Sequence, residues 1–284
     1  MTSPGLPSAG TERPPARPNA RSAQRAHVLS LPVDNVSLAD TARIVERWAV
    51  RARTGSADEQ DSVVPPAMSQ IVTLNPEIAM LARRDPVLRQ AIREAELVVP
   101  DGTGIVLASW LGDLRLGNRV TGVDVLEMCA HDSARTGYRV MLIGGEPGIA
   151  AEAARQLVAR FPGASVSAAD CGPVGDDTAD VILDIIHRSA ADVVFVALGA
   201  PAQERLIHAI KSRASAGVAI GVGGAFDYIA GKAPRAPRWM RAGGLEWIFR
   251  LIVQPWRWRR MLALPAFVLA VLVDRARVPK RKHP

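Results

Sequence analysis

Residues 178–224, TADVILDIIHRSAADVVFVALGAPAQERLIHAIKSRASAGVAIGVGG, decide the fold of this chain. Their pattern predicts a helix, a strand, a second helix and a second strand, with the strands at residues 192–198 and 218–222. Both strands are continuous apolar runs, which is typical of strands buried on both faces of a parallel sheet. A glycine follows each strand, at Gly199 and Gly223, where the chain can turn into the next helix.

The same alternation extends towards the N-terminus. Further apolar segments, separated by stretches of helical periodicity, are predicted to be strands at residues 27–33, 69–74, 97–100, 139–143 and 165–169. Strands that alternate with helices indicate βαβ units rather than a sandwich or a bundle. We therefore predict an α/β fold, a doubly wound parallel sheet flanked by helices, over residues 28–233.

Charge is distributed unevenly along the 284 residues. The net charge is +7, from 35 Lys and Arg against 28 Asp and Glu, yet residues 234–284 alone hold twelve basic and two acidic side chains. The predicted body is mildly acidic. A nucleic-acid-binding domain would carry its basic surface on the body, so this distribution favours a membrane surface or an anionic lipid-linked ligand instead.

The two ends of the chain differ from the body. Residues 1–27 are rich in Pro, Ser, Ala and Arg and are predicted to be a disordered extension, with no secretory signal. Residues 234–284 are predicted to form a basic, Trp/Arg-rich helical appendage that associates with a membrane surface. Its apolar run at residues 261–273 is too short to span a bilayer. The alternative is a solvated basic helix end whose Trp side chains pack on the body.

Cysteine and histidine are too sparse to predict a metal site. Cys129 and Cys171 lack the spacing of a disulfide framework or a zinc site, and the five His residues are scattered. The body also lacks a dinucleotide-binding fingerprint, which argues against a dehydrogenase. No metal ion or other cofactor is predicted, and a reducing cytoplasm is the expected compartment.

Polar residues at strand ends are the candidate functional residues, because ligands of parallel α/β sheets bind beyond the carboxyl ends of the strands. Asp101 directly follows the strand LVVP, where a carboxylate can act as a general base or simply cap the next helix. Thr73 and Asn75 lie at the end of the strand SQIVTL, where they can orient a sugar hydroxyl or form a strand-end turn and cap.

Glycines and arginines are the candidate phosphate-binding groups. Two glycine pairs follow strands and either let backbone N–H groups approach a phosphate or form tight turns: Gly144 with Gly145, and Gly223 with Gly224. Three arginines of the appendage fall along roughly one helical face and are suited to neutralise a diphosphate: Arg250, Arg257 and Arg260.

Five segments carry a resemblance to a known family. They are TLNPEIAMLARRDPVLRQAIREAELVVPDGTGIVLAS, RVTGVDVLE, IGGEPG, VALGAPAQE and GVGGAFDYIAGKAPRAPRWMRAGGLEWIFRLIVQPWRWRR. In this order they resemble the WecG/TagA/CpsF glycosyltransferase family over about residues 28–262. The N-terminal extension, the polar insertion at residues 53–66 and the basic end VPKRKHP depart from the family pattern.

The resemblance implies a Rossmann-like core and an activity. Members transfer a sugar, most familiarly N-acetylmannosamine or its uronic acid, with inversion and without an essential metal. The donor is a UDP-sugar, and the acceptor is a sugar linked to undecaprenyl diphosphate at the cytoplasmic face of the membrane. A different donor such as UDP-glucose, or a non-catalytic nucleotide- or membrane-binding scaffold, is the alternative. The sequence does not decide whether copies of the chain form a homo-oligomer.

The resemblance also implies a role for each candidate residue. Asp101 would be the catalytic base, and Thr73 and Asn75 would position the sugars beside it. The residues implied to bind substrate are Gln203 in the pocket, Asp227 at the nucleoside, Gly144, Gly145, Gly223 and Gly224 around UDP, and Arg250, Arg257 and Arg260 on a diphosphate.

Overall fold

The computed structural model describes residues 24–54, 68–112, 114–255 and 258–277. The strands are β1 Arg25–Val28, β2 Leu31–Asp34, β3 Ser69–Leu74, β4 Leu97–Pro100, β5 Val140–Gly144, β6 Val166–Ala169, β7 Val193–Ala197 and β8 Val218–Gly221. The helices of the body are α1 Leu38–Thr54, α2 Pro76–Ala82, α3 Pro86–Arg93, α4 Thr103–Ser109, α5 Gly122–Thr136, α6 Ile149–Arg160, α7 Thr178–Ser189, α8 Ala202–Ile210 and α9 Ala225–Ile229.

Six strands form one parallel sheet in the order β4-β3-β8-β7-β5-β6. This confirms the predicted α/β fold. Because all six strands run the same way, their carboxyl ends lie along a single edge of the sheet, which we call the carboxyl edge.

Helices cover both faces of the sheet, because alternate residues of a strand point to opposite faces. Val193 and Phe195 of β7 join a core under α1, α5, α6 and α9, whereas Val194 and Val196 join the core on the other face. The helices α2, α3, α7 and α8 pack on that second face. The five strands β3, β4, β5, β7 and β8 are therefore buried on both faces and mainly apolar, whereas the edge strand β6 is partly exposed.

The first folded segment differs from the prediction of one strand at residues 27–33. Leu29 and Ser30 adopt positive φ angles of 52° and 63° and reverse the chain, so that β1 and β2 form an antiparallel hairpin. The Asp34 carboxylate accepts a hydrogen bond of 2.8 Å from the Val98 backbone N–H and ties this hairpin to β4. Ordered structure thus starts before residue 28, since β1 begins at Arg25.

Helix α5 was not predicted, although its start and end signals are present. Thr121 is the N-cap residue and accepts a hydrogen bond from the Asp124 backbone N–H. Gly137 ends the helix in the left-handed conformation, with φ of 74°. Both are ordinary capping features, so the helix could have been found from residues 121–137 alone.

Where the structure describes the C-terminal region, it shows four helices: α10 Arg238–Ala242, α11 Glu246–Val253, α12 Trp258–Met261 and α13 Ala263–Arg277. Helix α13 packs against α2 and α4, and its Phe267 is only 2% exposed within the second-face core. The last helix is therefore an additional layer on the body. In the described part of the chain, no helix has both the length and the apolar composition needed to cross a bilayer.

Candidate active site

A crevice opens at the carboxyl edge because successive loops lead to opposite faces of the sheet. The loops after β5 and β8 lead to α6 and α9 on the first face, whereas those after β3 and β7 lead to α2 and α8 on the second. Such divergence leaves a gap between neighbouring loops, which is the usual ligand site of open α/β sheets.

Asp101 lies at this edge, directly after β4. Its backbone N–H donates a 2.8 Å hydrogen bond to the Leu74 carbonyl at the end of β3, which fixes its position between the two strands. The helix-cap alternative for Asp101 is wrong, because Gly102 is the N-cap residue of α4 and no side chain caps that helix. The half-buried carboxylate is thus available to a ligand.

The electrostatic environment of Asp101 suits proton transfer. Burial raises the pKa of its carboxyl to about 7. The guanidinium groups of Arg250 and Arg119 lower this pKa, and the carboxylates of Glu246 and Asp124 raise it. A pKa near neutrality leaves a substantial fraction ionised and still makes the carboxylate a useful proton acceptor. A strongly shifted pKa in a crevice is also characteristic of functional sites.

Helix α11 brings charged groups to Asp101 from far along the chain. Its Glu246 accepts a 3.1 Å hydrogen bond from Arg119, which precedes α5. Its Arg250 lies over the Tyr228 ring, 5.1 Å from the ring centroid. Arg250 also lies close enough to Asp101 to lower the pKa of its carboxyl, and its role toward a diphosphate stays a prediction.

Arg119 had no predicted role, although it opens the segment RVTGVDVLE. Its charge acts on Asp101, and it also lines a cavity of about 560 Å³ with Thr103 and two further arginines, Arg238 and Arg241. The remaining lining residues are Val106 and Gly117. For Arg238 and Arg241, the only indication in the sequence is the dense basic composition of residues 235–241. Three guanidinium groups around one cavity are suited to bind a diphosphate.

Thr73 and Asn75 have local structural partners. The Thr73 hydroxyl is buried and donates a 2.8 Å hydrogen bond to the Gly221 carbonyl of β8. The Asn75 side-chain oxygen accepts a 3.0 Å hydrogen bond from the Ile78 backbone N–H and caps α2. The cap alternative is therefore correct for Asn75.

Gln203 connects two loops of the carboxyl edge. Its side-chain oxygen accepts hydrogen bonds from the backbone N–H groups of Gly199 and Gly223, at 3.1 and 3.0 Å. Its amide group donates to the buried Glu204 carboxyl at 2.7 Å. Gln203 thus positions the loops after β7 and β8, and the structure gives it partners in the protein rather than a free end in the pocket.

Glu204 had no predicted role and is one of the most deeply buried polar residues. Burial raises the pKa of its carboxyl to about 7. Its Oε2 atom has no hydrogen-bond partner among the described residues, and the same is true of Oε1 of Gln70, whose amide donates to the Glu204 carbonyl. A carboxyl without a compensating cation is stabilised in its protonated form.

Gly145, Gly223 and Gly224 lie in the loops after β5 and β8, whereas Gly144 is the last residue of β5 and pairs with Ala197 of β7. Gly144 and Gly145 have φ angles of 92° and 84°, and a Cβ at Gly144 would lie 2.9 Å from the Leu198 side chain. Gly223 has φ of 52°, and a Cβ at Gly224 would lie 3.4 Å from the Asp227 carboxylate. Asp227 is half-buried in α9, on the same side of the crevice as these turns.

Two of the three predicted arginines have no described side chain. Arg257 lies outside the described residues, and the structure gives only the backbone of Arg260, within α12. Their roles stay predictions. Within the described ranges, no group of three or more His, Cys, Asp or Glu side chains could hold a metal ion.

Comparisons with known proteins identify the family. The model of the glycosyl transferase WecG/TagA/CpsF family matches residues 26–281. An N-acetylglucosaminyldiphosphoundecaprenol N-acetyl-beta-D-mannosaminyltransferase of Bacillus subtilis (strain 168) is 37% identical over 204 residues, which cover 72% of this chain and 79% of the relative. The transferase of the same name from Staphylococcus aureus (strain MRSA252) is 29% identical over 212 residues, or 75% and 83% of the two chains. The family match spans nearly all of the described chain, and this protein belongs to the WecG/TagA/CpsF family of glycosyltransferases.

Proposed function

We propose that the chain transfers N-acetylmannosamine or its uronic acid, with inversion, from a UDP donor to GlcNAc on undecaprenyl diphosphate. Such a reaction serves cell-surface polysaccharide biosynthesis. The names of the relatives support the acceptor and the transferred sugar. The observation that carries the proposal is Asp101, a carboxylate at the carboxyl edge whose pKa is raised to about 7 by burial and lowered by the charges of Arg250 and Arg119.

The proposed mechanism is a direct displacement with Asp101 as the base. Asp101 takes the proton of the acceptor hydroxyl, and the freed oxygen forms a bond to the anomeric carbon of the donor. The bond between that carbon and the UDP oxygen breaks at the same time, and UDP leaves with the bonding electron pair. Attack from the face opposite UDP inverts the anomeric configuration.

The two diphosphates are assigned to two groups of residues. The glycine turns at Gly144–Gly145 and Gly223–Gly224 are assigned to UDP, because their missing side chains let a phosphate come close to the backbone. Asp227 is assigned to the nucleoside. The cavity of Arg119, Arg238 and Arg241 is assigned to the acceptor diphosphate, with the appendage arginines Arg250, Arg257 and Arg260 closing over the site.

The lipid-linked acceptor also requires the enzyme to work at a membrane surface. We place it at the cytoplasmic face as a peripheral protein. Apolar side chains on the outer surface of α13 support this placement, because Leu269 is 64% and Leu272 is 53% exposed. Exposed apolar surface next to basic residues is typical of interfacial membrane binding.

A transfer assay tests the activity. A panel of labelled UDP-sugars is offered with a short-chain prenyl-diphosphate GlcNAc acceptor, in the presence of EDTA, to wild type, Asp101→Asn and the control Asp184→Asn. The control removes an exposed carboxylate that pairs with Arg188 on α7. We expect product from UDP-N-acetylmannosamine or its uronic acid, a loss of about 10²–10⁴-fold in Asp101→Asn and no loss in the control.

UDP binding measured by calorimetry completes the test. Asp101→Asn should bind UDP as tightly as wild type, because the proposed base contacts the acceptor hydroxyl. Equal loss of turnover and UDP affinity would contradict the base assignment. Product from UDP-glucose alone would change the donor, and UDP binding without transfer from any donor would favour the scaffold alternative.

A further inference from the structure

A second basic cavity lies away from the carboxyl edge. It has a volume of about 270 Å³ and is enclosed by the β1–β2 turn, α2, α3 and α13. Three arginines line it: Arg83, Arg89 and Arg93. None of the catalytic or binding roles proposed above uses this cavity.

The positive charge of this cavity is largely uncompensated. Arg89 donates hydrogen bonds of 2.9 Å to the carbonyls of Ala82 and Arg83, and Arg93 reaches the Ser30 carbonyl at 3.4 Å. These partners are neutral. Throughout the described chain, none of the three arginines forms a salt bridge, and Asp274 is the one acidic residue among those lining the cavity. A site with this charge attracts an anion, and arginine is well suited to phosphate.

Helix α13, which forms one wall of the cavity, is apolar on two faces. Its inner face packs on the body through Phe267 and Ala270. Four apolar residues on its outer face are each between 42% and 64% exposed: Val268, Leu269, Leu272 and Val273. A helix that is apolar all round is stable only if both faces are covered, and a lipid surface covers such an outer face when phosphate-binding groups lie beside it.

The same helix joins the cavity to the active-site edge. A Cβ at Gly104, three residues after Asp101, would lie 3.8 Å from the Phe267 ring. Ala270, Val273 and Asp274 line the arginine cavity at the other end. From residue 267 to residue 274 the helix rises about 10 Å. Helix α13 therefore extends from beside α4, the helix that follows Asp101, to the arginine cavity.

We propose that the cavity of Arg83, Arg89 and Arg93 binds the phosphate of an anionic phospholipid whose acyl chains lie along the outer face of α13. This second attachment point fixes how the protein sits on the membrane and turns the active-site mouth towards the lipid-linked acceptor. It deepens the proposed function, since it rests on the acceptor being carried by lipid. The anion is assigned to a lipid because the exposed apolar stripe begins at the rim of the cavity.

Vesicle binding of the full chain tests the site. Vesicles of phosphatidylcholine with 30% phosphatidylglycerol are compared with vesicles of phosphatidylcholine alone, by flotation, for wild type and the double variant Arg83→Gln/Arg93→Gln. Arg89 is kept because it caps the end of α2. Each basic residue near an anionic surface contributes about fivefold to the affinity, so the loss of two should weaken binding to the anionic vesicles about thirtyfold.

A matched control removes the same charge elsewhere. Arg155→Gln/Arg188→Gln changes two exposed arginines on α6 and α7, near the β6 end of the sheet and remote from α13. The affinity of this control variant for the anionic vesicles should stay within about threefold of the wild-type affinity. Equal losses in the two double variants would overturn the proposed site, because net charge alone would then explain the binding.

Competition distinguishes a lipid from free phosphate. A short-chain, water-soluble phosphatidylglycerol should displace wild type from anionic vesicles at concentrations where inorganic phosphate does not. Equal displacement by inorganic phosphate would overturn the lipid assignment. Leu269→Ser/Leu272→Ser should weaken binding to both kinds of vesicle, and an unchanged affinity would also contradict the proposal.

The failure of this proposal differs from the failure of the proposed function. Transfer to the short-chain acceptor in solution should be unchanged in Arg83→Gln/Arg93→Gln, because the cavity lies outside the active site. A wild-type protein that binds anionic vesicles through these arginines but transfers no sugar would refute the function and leave the lipid site standing. If the enzyme transfers sugar but its affinity for anionic vesicles does not depend on these arginines, the lipid site is refuted and the proposed function stands.

Discussion

The rate of transfer should depend on pH through Asp101, and the charges around it set the midpoint. As the proposed base, Asp101 works only when ionised, and burial raises its pKa to about 7. Activity should therefore be full above about pH 8 and fall about tenfold per pH unit well below pH 7. At pH 6 about a tenth of the molecules carry an ionised Asp101, so kcat/KM should be about a tenth of its plateau.

Replacing Glu246 with Gln tests whether this environment is responsible. The Glu246 carboxylate raises the pKa of Asp101, and it also pairs with Arg119 at 3.1 Å. The substitution removes a negative charge near the base and releases a positive one. Both changes stabilise the ionised form, so the midpoint of the pH profile should move to lower pH.

The assay is the initial rate of transfer between pH 5 and pH 9 with donor and short-chain acceptor below their KM values, which gives kcat/KM. Glu152→Gln is the control, because Glu152 lies on α6 and pairs with the exposed Arg155. The control should retain the wild-type midpoint. A midpoint that stays fixed or rises in Glu246→Gln would refute the electrostatic account, and a profile that persists in Asp101→Asn would refute the assignment of the base.

Three further substitutions have defined outcomes. Burial raises the pKa of Glu204 to about 7 in the native state, against 4.5 in the unfolded state. Between these pH values the native state keeps a proton that the unfolded state has lost. The free energy of unfolding should therefore fall by about 3 kcal/mol as the pH rises from about 4.5 to 7. Glu204→Gln should remove the contribution of Glu204 to the difference in the free energy of unfolding between pH 5 and pH 8, measured by urea unfolding. An unchanged difference would contradict a protonated Glu204. Gly144→Ala must adopt φ of 92° against the Leu198 side chain, so it should lose about 1–3 kcal/mol of stability and weaken UDP binding in calorimetry. Phe267→Ala should weaken the packing of α13 on the body by about 3 kcal/mol. Hydrogen exchange should then be faster over residues 263–277, while the amides of the sheet stay protected. Unchanged protection of α13 would show that this contact does not hold the helix in place.

Local pattern determined the class of fold. Strands buried on both faces of a sheet are mainly apolar, and residues 69–74 and 97–100 are strands with the predicted bounds, although β3 also buries Ser69, Gln70 and Thr73. The position of Asp101 followed directly, since a polar residue after a buried strand lies at the carboxyl edge. The β1–β2 hairpin was beyond such reasoning, because Leu29 and Ser30 take a left-handed conformation that their residue types disfavour.

The partners of the site residues were decided only by the tertiary structure. Composition and periodicity report on neighbours a few residues apart, whereas the Thr73 hydroxyl bonds to a carbonyl 148 residues away. The same holds for Arg119, which meets Glu246 across 127 residues when α11 folds back over the edge. The sequence by itself therefore determined the parallel sheet, its carboxyl edge and the identity of the proposed base. The pKa of that base, the loop-positioning role of Gln203 and the two arginine-lined cavities arise only when distant segments pack together, because charge interactions and desolvation depend on distance in space rather than along the chain.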